Sequence, residues 1–162
     1  MKKILVISLL LIYTAVLFSC DKVNLPFGAG TSVGDKITED ENNKHGIGDS
    51  EMKYVSNTNK SLTVVIENTT DSTWQSGNMR DYDLHIKKDG EWYRVEPKGE
   101  FANTMELMLF APGQKLEHTF DFSERYGKLG SGEYRVVKNY WANATDTTEA
   151  GSFYLDCEFT VE

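Results

Sequence analysis

The sequence predicts an all-β protein: an antiparallel two-sheet sandwich of about seven or eight short strands, joined in Greek-key fashion. Three observations lead there. Short runs of alternating apolar residues recur from Met52 to Val161, each bounded by turn residues. No segment after the first twenty residues carries the 3.6-residue period of an amphipathic helix, so nothing supplies the crossover that a parallel sheet needs. Finally, a glycine-rich turn at Gly127, Leu129, Gly130 and Gly132 runs into Tyr134, Arg135, Val136, Val137 and Lys138. This is the pattern of a tyrosine corner, in which a phenol hydroxyl ties the start of a strand to the crossover before it.

The elements follow in order. Met52 to Val55 reads as a first strand, and Leu62, Val64 and Ile66 make the apolar face of a second. Asn68 to Gly77 is a polar loop carrying Trp74. Tyr82, Leu84 and Ile86 face inward on a third strand, with Asp81, Asp83 and His85 facing outward. Lys88, Asp89 and Gly90 form a hairpin turn, because Asp-Gly supplies the positive φ angles of a type I′ turn, and Trp92, Tyr93 and Val95 return. Met105 to Phe110 is a strand ended by Ala111, Pro112 and Gly113, where proline fixes φ and glycine frees it. Leu116, His118, Phe120 and Phe122 alternate again. The strand entered at Tyr134 runs to Trp141, with Tyr134, Val136, Lys138 and Tyr140 on one face. Asn143 to Gly151 is a polar loop, and Phe153, Leu155, Cys157, Phe159 and Val161 complete the sandwich. The connections Pro97 to Thr104 and Ser123 to Ser131 are long for hairpins, which favours Greek-key crossing over an up-and-down barrel.

Ahead of the sandwich, Lys2 and Lys3 precede an apolar stretch from Ile4 to Phe18, the shape of a secretory signal peptide. That stretch is shorter than the roughly 20 residues of a spanning helix, and Asp21 and Lys22 follow it directly. Leu17, Phe18, Ser19 and Cys20 resemble the bacterial lipobox. The resemblance implies cleavage before Cys20 and acylation of its sulfur, hence a cell-envelope protein anchored to the membrane on the extracytoplasmic side. Two or more acyl chains hold a protein at a bilayer where one does so only marginally. The expected organisation is therefore signal peptide over 1–19, lipidated cysteine and flexible tether over 20–50, and sandwich over 51–162. The tether is rich in Gly, Ser, Thr, Asn, Asp, Glu and Lys and has no strand or helix period, so it is expected to remain a coil spanning about 30 Å.

Charge and composition exclude several functions. The formal net charge of −8 argues against nucleic acid as a partner. Gly28, Gly30 and Gly34 fit neither the dinucleotide fingerprint nor the phosphate loop. Asp35, Glu39, Asp40 and Glu41 lack the glycine and closing glutamate of an EF-hand. His45, His85 and His118 stand at no metal-ligand spacing, and Asp81 and Asp83 are an ordinary pair on a solvent face. No catalytic residue, cofactor or metal is expected. Cys157 lies on an apolar strand face and reads as a small hydrophobe, and a disulfide with an acylated Cys20 is not expected. Trp74, Trp92 and Trp141 read as core or rim packing before a ligand platform, because aromatics carry much of a small sandwich's burial. Trp74 sits in a polar loop, where an exposed aromatic is a candidate partner contact.

The runs Leu62 to Asn68, Tyr82 to Leu84, Asp89, Gly90, Trp92 and Tyr93, then Ala111 to Gly113, then Tyr126, Gly127, Leu129, Gly132, Tyr134 and Arg135, and finally Phe153 to Val161, resemble a bacterial immunoglobulin-like domain of small lipoproteins. The resemblance implies an immunoglobulin-like sandwich and no catalytic or ligand-binding residues. A fainter likeness, in sandwich and turn pattern, is to the BsuPI-type proteinase inhibitors. The expected function is a membrane-anchored, non-enzymatic binding or accessory module that presents the loops Asn68 to Gly77 and Asn143 to Gly151 to a protein or glycan. A proteinase inhibitor and a small secreted enzyme are the alternatives.

Overall fold

A computed structural model describes residues 32–38, 44–99 and 106–162, and the signal segment, Cys20, and Met105 lie outside them. The described residues form eleven strands: β1 (Ser32–Lys36), β2 (Lys44–His45), β3 (Glu51–Asn57), β4 (Ser61–Glu67), β5 (Trp74–Ser76), β6 (Asp83–Lys88), β7 (Glu91–Glu96), β8 (Met108–Phe110), β9 (Lys115–Asp121), β10 (Gly132–Ala142) and β11 (Gly151–Val161). Their number exceeds the expected seven or eight by β1, β2 and β5.

Two sheets divide them. One is three-stranded in the order β3-β4-β9, and the other is eight-stranded in the order β1-β7-β6-β10-β11-β2, with β5 joining β10 to β8. The chain leaves the small sheet after β4, returns to it at β9 and leaves again for β10, so the connections cross between layers as a Greek key requires. Alternation puts one face of each strand between the sheets. Leu62, Val64 and Ile66 of β4 oppose Tyr134, Val136 and Tyr140 of β10 and Phe153, Leu155, Cys157 and Phe159 of β11, all in one buried core.

The tyrosine corner is present. Tyr134 Oη donates to the Gly130 carbonyl at 3.0 Å, and the Tyr134 ring stacks on Phe159 at 5.7 Å. The predicted hairpin is also there, with positive φ at Asp89 (52°) and Gly90 (82°) and β6 paired to β7 on either side.

Two expectations are corrected. Two described stretches of the segment expected to be a tether, β1 and β2, belong to the large sheet, outside the boundary of 51 expected for the sandwich. Ser32 pairs with Glu96, Val33 with Val95 and Lys36 with Tyr93, while Lys44 and His45 pair in parallel with Phe153 and Tyr154. Backbone hydrogen bonds to a sheet edge need no apolar period in the added strand, and Val33 and Ile47 suffice to pack against the core. The second correction is Trp74. Its loop folds back as β5 against Ala142 and Phe110, and the indole is fully buried, edge-on to Phe153 at 4.9 Å.

Candidate functional site

The loops after β4 and after β10 meet at one end of the sandwich. Asn68, wholly buried, donates through Nδ2 to the carbonyls of Ser72 (2.8 Å) and Phe110 (3.1 Å), while its Oδ1 accepts from the Thr70 hydroxyl at 2.8 Å. Thr70 Oγ1 accepts in turn from Trp74 Nε1 at 3.0 Å. Trp74 thus anchors the first loop from below; with its ring inside the core it offers no surface to a partner. The second loop is tied to the first. Ser72 Oγ donates to the Asn143 carbonyl at 2.7 Å, and Thr145 and Thr148 each donate a hydroxyl to Asp71 Oδ1 at 2.7 Å. Hydrogen bonds from Thr145, Thr148 and Thr147 hold the Asp71 carboxyl down to about 2, so it is ionised throughout the physiological range.

Between these loops and the turn after β2 opens a cleft of ≈ 730 Å³, with Ile47 and Phe153 in its lining and Asp49, Thr69, Asp71 and Thr147 among its polar groups. Its lining has hydroxyls and carboxylates from three separate segments. Such a lining offers hydrogen-bonding groups beside the apolar surface of Ile47 and Phe153.

A second concavity, of ≈ 670 Å³, lies on the outer face of the large sheet, lined by His45, Asp83, His85, Arg94, Arg135 and Tyr154 among others. The sequence places His85 outward, and outward it points, yet it is only 5% exposed. Arg135 covers it, donating from Nε to His85 Nδ1 at 3.1 Å, and the Arg135 guanidinium rests on the Trp92 ring at 4.7 Å. Burial, then the charges of Arg135 and Arg94, push the His85 pKa down to about 4. His45, expected in the tether, arrives beside the same groove on β2, with Nε2 2.6 Å from Asp156 Oδ1. His118 stands elsewhere, half-buried on β9 and packed on Phe120 at 4.8 Å. No group of three or more His, Cys, Asp or Glu that could hold a metal occurs among the described residues.

Sequence reasoning missed Lys138. It lies on the inward face of β10, 1% exposed, and its ammonium donates to the carbonyls of Asn78 (2.9 Å), Asp81 (2.9 Å) and Gly77 (3.3 Å). Burial lowers its pKa to about 8, against the opposing pull of Asp81. The signal was present as a lone lysine in an otherwise apolar alternation, Tyr134, Val136, Lys138, Tyr140. Its role is to pin the turn between β5 and β6. Cys157 is a free, buried thiol, its pKa pushed up to about 11 by burial and by Asp156 and Glu158.

The bacterial Ig-like domain family matches residues 49–154, most of the chain and nearly all of the sandwich. The chain belongs to that family. The Ig-like match begins just before β3, so β1 and β2, at the edges of the large sheet, lie outside the matched residues. It ends within β11, and thus takes in both loops of the cleft and the whole of β10. No curated protein and no solved structure matches the chain. The Ig-like family is typically non-enzymatic.

Proposed function

We propose that this Ig-like domain is a non-enzymatic binding or accessory module, held on the extracytoplasmic side of a membrane through lipidated Cys20, and that it engages a protein or glycan with the cleft between residues 69–71 and 147–153. The observation that carries this reading is the ordering of the two loops by Asp71, whose carboxylate gathers Thr145 and Thr148 at 2.7 Å each. Loops held in one conformation before contact lose less entropy on binding. The hydroxyl-rich lining suits a partner rich in hydrogen-bonding groups. A proteinase inhibitor of the BsuPI type would instead need a loop free to enter a protease cleft, whereas the loops here are tied to each other.

Photo-crosslinking in the native envelope tests it. A photoreactive residue at Thr147, in the cleft, should yield a discrete adduct. The same residue at Lys128, about 35 Å away at the far end of β10, should yield none. Equal labelling from both positions, or none from Thr147, would overturn the assignment of the cleft.

A further inference from the structure

The outer groove of the large sheet is organised independently of the loop cleft. Strand register lines its side chains up in two rows. Arg94, His85 and Arg135 are directly paired across β7, β6 and β10, and in the neighbouring row Asp83, Val137 and Asp156 are paired across β6, β10 and β11. A row of donors therefore runs beside a row that carries two carboxylates. The rows are partly joined, Arg94 Nη2 lying 3.5 Å from Asp83 and Arg135 Nη1 lying 3.7 Å from Asp156, distances longer than a tight charge-assisted hydrogen bond.

His85 is the second, independent observation. A guanidinium Nε–H only donates, so His85 Nδ1 must accept from it and the imidazole proton sits on Nε2. The ring stays neutral in that tautomer because protonating Nδ1 would set N–H against N–H. His85 lines the groove, is more than nine-tenths buried, and its Nε2–H meets no acceptor among the described residues. Nε2 is not itself among the enclosed unpartnered polar atoms, so its N–H is open to whatever enters the groove.

We propose that the groove binds a small amphoteric carboxylate, an amino acid or short peptide, whose carboxylate accepts from His85 Nε2–H between Arg94 and Arg135 while its ammonium faces Asp83. The acids of the groove, Asp35, Asp83 and Glu96, select against a dianion such as phosphate, and the chain's net charge of −8 acts in the same sense. Val137 supplies an apolar floor within the second row, between Asp83 and Asp156.

The test is a titration of the full chain in detergent, followed by long-range ¹H–¹⁵N spectra of its histidine rings, with glycine, glycylglycine, glycine methyl ester and N-acetylglycine as probes. Glycine or glycylglycine should move the His85 Nε2 resonance saturably. The ester, which lacks the carboxylate, and the acetylated compound, which lacks the ammonium, should bind at least tenfold more weakly. Tighter binding of glycine would place a free amino acid in the groove and tighter binding of glycylglycine a peptide, and either supports the proposal. Arg94→Met, at the exposed rim, should weaken binding at least tenfold with an unchanged melting temperature. No shift with any probe, an equal shift with the ester, or a His85 Nε2–H already hydrogen-bonded before addition would overturn it.

Discussion

Two buried tyrosines on one face of β10 show how differently the same side chain can contribute. Tyr134 gives its hydroxyl to Gly130 at 3.0 Å, whereas the hydroxyl of Tyr140, shut in among Trp74, Phe110 and Phe153, has no hydrogen-bond partner among the described residues. Removing the first hydroxyl leaves a carbonyl unpaired; removing the second relieves an unmet polar group. In chemical denaturation Tyr134→Phe should therefore cost about 1 to 3 kcal/mol, and Tyr140→Phe should be neutral or stabilising by up to about 1 kcal/mol. The corner was legible beforehand because a tyrosine two residues after a glycine at the start of an apolar strand has few other uses. The orphan hydroxyl was not, since alternation tells which face a residue occupies and not what its terminal atom meets. Cys157 offers a further check at this scale. Its raised pKa and burial keep the thiolate scarce, so a thiol reagent at pH 8 should label the native protein slowly and the urea-unfolded protein at once.

At the scale of elements, the strands that alternation marks are those that bury one face: β4 and β11 carry it without interruption, and β10 carries it broken by Lys138. The strands it does not mark, β1, β2 and β5, are held by edge pairing and by a few side chains. β5 is only Trp74–Ser76, too short for any period to show, and its burial of Trp74 follows from pairing on both sides with Ala142 and Phe110. The groove residues were likewise hidden, because only the register of β7, β6 and β10 brings Arg94, His85 and Arg135 into one row. Trp141, read from sequence as core or rim packing, is the most exposed of the three tryptophans, and it shares a row with Gln75 and the exposed Leu109. The appended β1 makes a specific prediction. Val33→Asp sets a carboxylate against Val95 and near Glu96, and should free β1 from β7 at a cost of about 1 to 2 kcal/mol while β4 and β10 keep their amide protection.

For the whole molecule, buried basic groups set how stability depends on pH. The folded pKa of His85, about 4, lies below its ordinary value of 6.5, so between these values the unfolded chain binds the extra proton. The contribution is fully present above pH 6.5 and is lost as pH falls toward 4. Across that window it amounts to about 3 kcal/mol. Urea midpoints measured from pH 7 to pH 4 should fall steeply for the wild type and less steeply for His85→Gln. Lys138 acts at the other end. With its pKa at about 8 in the fold against 10.5 outside it, stability gains as pH rises from 8. Beyond pH 10 the gain is opposed by Tyr126 and Tyr134, whose pKa values burial raises to about 12.

These features describe an Ig-like sandwich centred on β10, with β1 and β2 at its edges, and the proposal places its recognition surface in the two end loops. Hydrogen exchange of the full chain, alone and with its native envelope fraction, tests that description most directly. Amides of β4, β10 and β11 should exchange only through global unfolding and β1 much sooner, with added protection from the envelope appearing at residues 69–71 and 145–151. Slowest exchange in β1, or protection gained elsewhere and absent from those loops, would contradict it.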